Sequence, residues 1–177
     1  MADARAPAPR VADPGRMERA VSATQYGRLE ELVGLLDRGE VGLEERDGDG
    51  CSLLQWASIN NRLAIVEELV RRGVDVDGHG GVLDESAMQW ATRHGHVGVV
   101  VRLREVGGDA THRGNEGGNC VHVACRYGKL APLAYLLARD ALPRASRPQG
   151  LLEALDDRGR TPLMVAVEWS VARAARR

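Results

Sequence analysis

Six side chains in one stretch carry metal-ligating or nucleophilic chemistry: His94, His96, His112, Cys120, His122 and Cys125. A structural zinc site draws on pairs of such ligands a few residues apart, with a second pair to close the tetrahedron. Cys120 and His122 sit close in sequence, but no second pair shares their turn, so no metal site is expected. The carboxylates Asp47, Asp49, Asp75, Asp77 and Asp84 form a second group. Asp47 and Asp49 open like a calcium loop, yet Ser58 stands where that loop needs its closing glutamate. They are expected to shape turns and cap helices. Arg144, Arg147, Arg173, Arg176 and Arg177 are suited to an acidic membrane surface, although solvation is the ordinary fate of such residues. No catalytic residue, cofactor or metal is expected from these groups.

The elements that would position them repeat. Ser86-Ala-Met-Gln-Trp-Ala-Thr-Arg-His-Gly-His96 reads as a turn feeding a short helix, with Ser86 as N-cap and Gly95-His96 ending it and starting another. The plan recurs at Ser52-Leu-Leu-Gln-Trp-Ala, Asn119-Cys-Val-His-Val-Ala and Thr161-Pro-Leu-Met-Val-Ala. The marker alanines Ala23, Ala57, Ala91, Ala124 and Ala166 are 34, 34, 33 and 42 residues apart. A period of about 33 around a Thr-Pro-Leu-His-x-Ala core is the ankyrin signature. The expected fold is therefore all-α, a solenoid of paired antiparallel helices with about four and a half repeats.

In order, residues 1–16, rich in Ala, Pro and Arg, read as a disordered tail, and the ankyrin domain as 17–170. Its repeats fall at about 17–49, 50–83, 84–116, 117–140 and 157–170, with an inserted Pro- and Arg-rich loop over 141–156 and a basic tail over 171–177. The second repeat predicts helices over about 52–60 and 63–72, the latter with Leu63, Val66, Leu69 and Val70 inward and Gly73 beyond its end. The third predicts a helix over about 97–106, rich in valine, where packing must overrule propensity. The fourth predicts one over about 130–139, with Pro132 in its first turn. Where the repeat usually carries His, this chain has Gln55 and Gln89, expected to recover only part of that residue's bonding.

Composition narrows the partners. There is no Phe and aromatics make up 3%, so burial must come from Leu, Val and Ala in thin layers. The 24 basic and 25 acidic residues leave no excess of positive charge to displace counterions, which argues against nucleic acid. Cys51, Cys120 and Cys125 form no paired framework and suit a reducing compartment. No signal peptide and no apolar run of membrane-spanning length are apparent, so a cytoplasmic location is expected.

Several runs share one further likeness: Ser22-Ala-Thr-Gln-Tyr-Gly27, Leu54-Gln-Trp-Ala-Ser-Ile-Asn-Asn-Arg62, Gln89-Trp-Ala-Thr-Arg-His-Gly-His96, Val121-His-Val-Ala-Cys-Arg-Tyr-Gly128, Ala134-Tyr-Leu-Leu-Ala138 and Gly159-Arg-Thr-Pro-Leu-Met164. Over roughly residues 18–168 the chain resembles the N-terminal ankyrin domain of the huntingtin-interacting, DHHC-type protein palmitoyltransferases. The resemblance implies a domain that recruits protein substrates through short extended peptides ending in Gln-Pro. It implies a place on the cytosolic face of Golgi or vesicle membranes, joined to transmembrane helices and a Cys-rich catalytic domain; the chain is expected to be a monomer. Neither an Asp-His-His-Cys motif nor such helices occur in these residues, so no acyl transfer is expected of the chain itself.

The same resemblance assigns peptide contact to Asn60 and Trp90, with Asn61, Arg93 and Tyr127 as neighbours. The residue types suit the task. A carboxamide pairs with both the N–H and the C=O of an extended backbone, and an indole face offers a prolyl ring a flat apolar contact. A plainer role exists for each: Asn60 as a helix-ending residue bonded to local backbone, and Trp90, like Trp56, as packing against the next repeat. A freestanding ankyrin adaptor unrelated to acylation is the alternative reading.

Overall fold

The computed structural model describes residues 15–140 and 150–174. Of the tail expected over 1–16, residues 1–14 lie outside the described residues, while Gly15 and Arg16 instead begin a helix; residues 141–149 of the insertion and 175–177 also lie outside, and with them Arg144, Arg147, Arg176 and Arg177.

Among the described residues four helix pairs and one further helix follow one another: α1 (Gly15–Tyr26) and α2 (Leu29–Asp37), α3 (Leu53–Ile59) and α4 (Leu63–Arg71), α5 (Ala87–His94) and α6 (Val97–Glu105), α7 (Cys120–Tyr127) and α8 (Leu130–Asp140), then α9 (Pro162–Ala174). The first helices of each pair stack as one layer, α1 on α3 on α5 on α7 on α9, and α4, α6 and α8 stack behind them. The main helix contacts run within a repeat and to the next one, the arrangement of a solenoid. The all-α expectation holds, with one small addition. Two-residue strands β1 (His79–Gly80) and β2 (Glu85–Ser86) form an antiparallel hairpin, pairing His79 with Ser86 and Gly80 with Glu85. Among the described residues no helix is long and apolar enough to cross a membrane.

The period is written in two backbone devices. Ser52, Ser86 and Asn119 cap α3, α5 and α7, each in a reciprocal box with the residue three further on, Gln55, Gln89 or His122. At the other end the turn residue is left-handed each time: Gly27, Asn61, Gly95 and Gly128 have φ of 74°, 55°, 85° and 63°. That turn lets the amides of Arg28, Arg62, His96 and Lys129 donate to the carbonyls of the marker alanines at 2.8–2.9 Å. Ala23, Ala57, Ala91 and Ala124 are fully buried, because only a methyl group fits where successive layers approach. Ala166 is only partly buried.

Two expectations need correction. The inward face of α4 is Ile65, Val66 and Leu69, while Leu63 is 39% exposed. Ile65 is two positions beyond Leu63, about 200° around a helix, so the two cannot share a face. The glutamines also do more than the histidine they replace. Gln55 Nε2 donates to the carbonyls of Glu85 at 2.6 Å and Gly80 at 3.2 Å, and Gln89 Nε2 to Gly118 at 2.9 Å and His112 at 3.2 Å. His122 reaches the next repeat through Nε2 alone, at 3.0 Å from the Arg160 carbonyl. An amide has two N–H donors and a neutral imidazole one. In α6 the valine-rich sequence is resolved as expected, with Val99, Val100 and Leu103 fully buried.

Candidate peptide-binding groove

Trp90 and Arg93 project from α5, Tyr127 and Arg126 from α7, and Trp169 from α9. Arg93 is the centre of the group. Its Nε donates to Glu85 Oε2 at 3.0 Å and its Nη2 to Glu85 Oε1, while Glu116 Oε2 lies at 3.1 Å. The Glu85 side chain is 2% exposed and that of Arg93 11%, so this is a buried, two-point ion pair. Burial alone would lower the Arg93 pKa, but bonding to Glu85, with Tyr127 and Glu116 nearby, more than offsets it and raises the pKa above its ordinary range.

Fixed at one end, the guanidinium is presented to aromatic faces at the other. Its Cζ stands 5.5 Å from the Trp90 ring centroid and 4.4 Å from that of Tyr127, and Nη1 donates to the Tyr127 hydroxyl. Tyr127 lies 6.2 Å from Trp169 at 32°, and a cleft of about 430 Å³ opens beside this pair, lined by Cys125, Arg126, Ala166 and Ser170 among others. On the opposite side Trp90 stacks with His94 at 6.1 Å, and His94 with His96 at 5.8 Å. Burial, with His96, Lys129 and Arg93 nearby, lowers the His94 pKa.

The indole N–H of Trp90 is buried with no hydrogen-bond partner among the described residues. That feature was not foreseen, and its cause is a single substitution between repeats. Trp56 donates to Asp47 Oδ2 at 2.6 Å; nine residues before Trp90 the chain has Gly81 instead.

The sequence-predicted residues are placed unequally. Trp90, Arg93 and Tyr127 meet in one constellation, as described. Asn60 stands one layer away at the end of α3, where its Nδ2 donates to the Trp56 carbonyl at 2.9 Å. Asn61 is exposed and serves as the left-handed turn residue. Glu85, Glu116 and Trp169, which complete the group, were not singled out as site residues. Glu85 was hidden because its role depends on the hairpin that turns it inward.

Several other chemistry-bearing groups are spent on structure. Asp47 Oδ1 accepts from the amides of Asp49 and Cys51, and Asp75 Oδ1 from Asp77. Burial pushes up the thiols of Cys51, Cys120 and Cys125, the reverse of an activated nucleophile. His122 bonds to Asn119 and Arg160 rather than to either cysteine.

Capped helix pairs of fixed period, stacked through buried alanines, define an ankyrin-repeat domain, and the ankyrin-repeat family profile matches residues 49–78. The chain resembles the DHHC-type palmitoyltransferases. It is 32% identical over 148 residues to the putative palmitoyltransferase ZDHHC13 of Danio rerio, covering 84% of this chain and 21% of that protein. It is 40% identical over 103 residues to palmitoyltransferase Hip14 of Drosophila melanogaster, covering 58% of this chain and 16% of the relative. With palmitoyltransferase ZDHHC13 of Homo sapiens it shares 37% identity over 124 residues, 70% of this chain and 20% of the relative. The chain thus spans about a fifth, or less, of the length of the curated relatives it matches.

Proposed function

We propose that this chain is the substrate-recruiting part of a DHHC-type protein S-palmitoyltransferase, binding extended peptide segments that end in Gln-Pro along the first-helix layer. Asn60 and Trp90 make the principal contacts, with Asn61, Arg93 and Tyr127 beside them. The observation that carries the reading is the Trp90 indole, held in place by an arginine that is itself fixed to a buried glutamate. Such a preorganised aromatic face suits a prolyl ring. Asn60 uses one amide N–H on its own helix, leaving its second N–H and its oxygen for an extended backbone.

Mechanistically this is recruitment. A groove tethered to an acyltransferase on the cytosolic face of Golgi or vesicle membranes raises the local concentration of protein substrate without touching the chemical step. The test is binding of a labelled Val-Val-x-x-Gln-Pro peptide to the full chain and to Trp90→Ala and Asn60→Ala, with helicity of all three measured by circular dichroism. Micromolar binding lost in both folded variants supports the reading. A folded parent chain that ignores the peptide overturns it and leaves an ankyrin adaptor of other specificity.

A further inference from the structure

Away from the groove, the loops between repeats bring together three side chains that the sequence keeps apart. His79 and His112 each lie 12 residues before a marker alanine, Ala91 and Ala124, so the solenoid stacks them. Their rings are 4.3 Å apart and inclined at 28°. Asp84 completes the group, with His79 Nδ1 at 2.7 Å from Asp84 Oδ1. One ligand atom from each of the three lies within 4.8 Å of the other two. A tetrahedral ion with bonds of about 2.1 Å needs ligand atoms about 3.4 Å apart, a separation within reach of small side-chain rotations.

Two further features point to a ligand. Asp84 has φ of 49°, whereas Gly50, Gly117 and Gly159, each likewise seven residues before a marker alanine, have φ of 80°, 72° and 71°. A carboxylate therefore occupies a position where the second, fourth and fifth repeats use glycine, at a cost in backbone strain. Secondly, His112 Nε2 is 2.8 Å from the Asp84 carbonyl. In the neutral ring that bond makes Nε2 the donor and leaves a lone pair on Nδ1, the outer-shell arrangement typical of metal-ligating histidine. The neighbouring cation, Arg46, is committed to the Gly50 carbonyl at 3.0 Å.

We propose that His79, Asp84 and His112 bind one divalent ion of the zinc class, linking the loops of successive repeats. Two imidazoles and one carboxylate select late transition metals over calcium or magnesium, and water completes the coordination. On binding, His79 changes from the Nδ1–H to the Nε2–H tautomer, and the ion takes the place of the proton that Nδ1 donates to Asp84. Because the ligands come from two adjacent repeats, the ion acts as a crosslink and stabilises their stacking.

The experiment uses the full chain under reducing conditions, titrated with Zn²⁺ against a chromophoric chelator and with Co²⁺ by visible absorption. Asp84→Gly installs the residue that other repeats use at this position, and so separates loss of the ligand from loss of the fold. The expected result is one ion per chain with micromolar affinity. Binding weakens at least tenfold in Asp84→Gly and His79→Ala at unchanged helicity, and Zn²⁺ raises the melting temperature of the parent but not of Asp84→Gly. No saturable binding, equal affinity in both variants, or a thiolate-to-cobalt charge-transfer band placing the ion on cysteine would each overturn the proposal.

Discussion

The indole N–H of Trp56 donates to the Asp47 carboxylate at 2.6 Å, while the same donor one repeat on, Trp90 Nε1, is buried without an acceptor among the described residues. Gly81 stands where the acceptor would be, and a Cβ there would lie 2.7 Å from Cys51 Sγ, so the loop excludes a replacement carboxylate. Phenylalanine at the two positions should therefore act differently. Trp56→Phe forfeits a bond to a charged group and should cost about 1.5–3 kcal/mol more than Trp90→Phe in urea unfolding. Equal losses would refute this distinction.

Arg93 and Glu85 provide a second test. Arg93→Met leaves the Glu85 carboxylate, 2% exposed, without its partner, and should destabilise by about 3–5 kcal/mol. Removing both charges with Glu85→Met and Arg93→Met together should cost less than Arg93→Met alone. A double-mutant cycle with no coupling would show that the pair does not act as a unit.

His122 predicts a pH dependence. Burial first, with Arg113 and Arg126 adding to it, lowers its pKa below the ordinary 6.5 in the fold, against the opposing pull of the Arg160 carbonyl and Asp156. A depressed folded pKa means stability that is full above 6.5 and falls as pH drops, because the unfolded chain takes up the proton first. His122→Gln, which supplies the two donors seen at Gln55 and Gln89, should unfold like the parent at pH 7.5. At pH 5 it should be the more stable of the two in chemical denaturation.

Asp156 predicts a second window at lower pH. Burial alone would raise its pKa, but the side chain and backbone of Arg160, together with the Arg158 amide, bring it down to about 2 from 3.8. The stabilisation, of order 2 kcal/mol, is complete above about pH 5 and is lost as pH falls through about 2. Asp156→Asn should speed amide exchange in α9 at neutral pH, and the difference from the parent should close in acid. A difference that persists at pH 2 would assign the effect to something other than the charge.

Much of the architecture was legible because a solenoid writes its geometry in one period. The marker alanines, the Ser86 cap and the Gly95 turn each occupy the place their chemistry demands. What escaped notice depends on contacts between repeats. The two-donor reach of Gln55 into the next hairpin needs a carbonyl 25 to 30 residues away. The His79 and His112 pairing defeats any search for ligands within one turn, since stacking makes residues one period apart neighbours. Comparing equivalent positions across repeats would have exposed both Asp84 among glycines and Gly81 beneath Trp90. Trp90, Arg93 and Tyr127 were named from the resemblance and do lie together, whereas the carboxylate that anchors Arg93 came into view only with the hairpin at Glu85.

The stacking of α3, α5 and α7 also sets a scale of length. Packed helices lie about 8–10 Å apart, and an extended chain advances about 3.3 Å per residue, so a peptide laid along this axis passes one helix every three residues or so. Asn60 caps the end of α3, and Trp90 and Tyr127 stand on α5 and α7. On the proposed function the layer is a ruler graduated in residue triplets, and inserting a single residue between two anchor points of a bound segment would put the second anchor out of register with its helix.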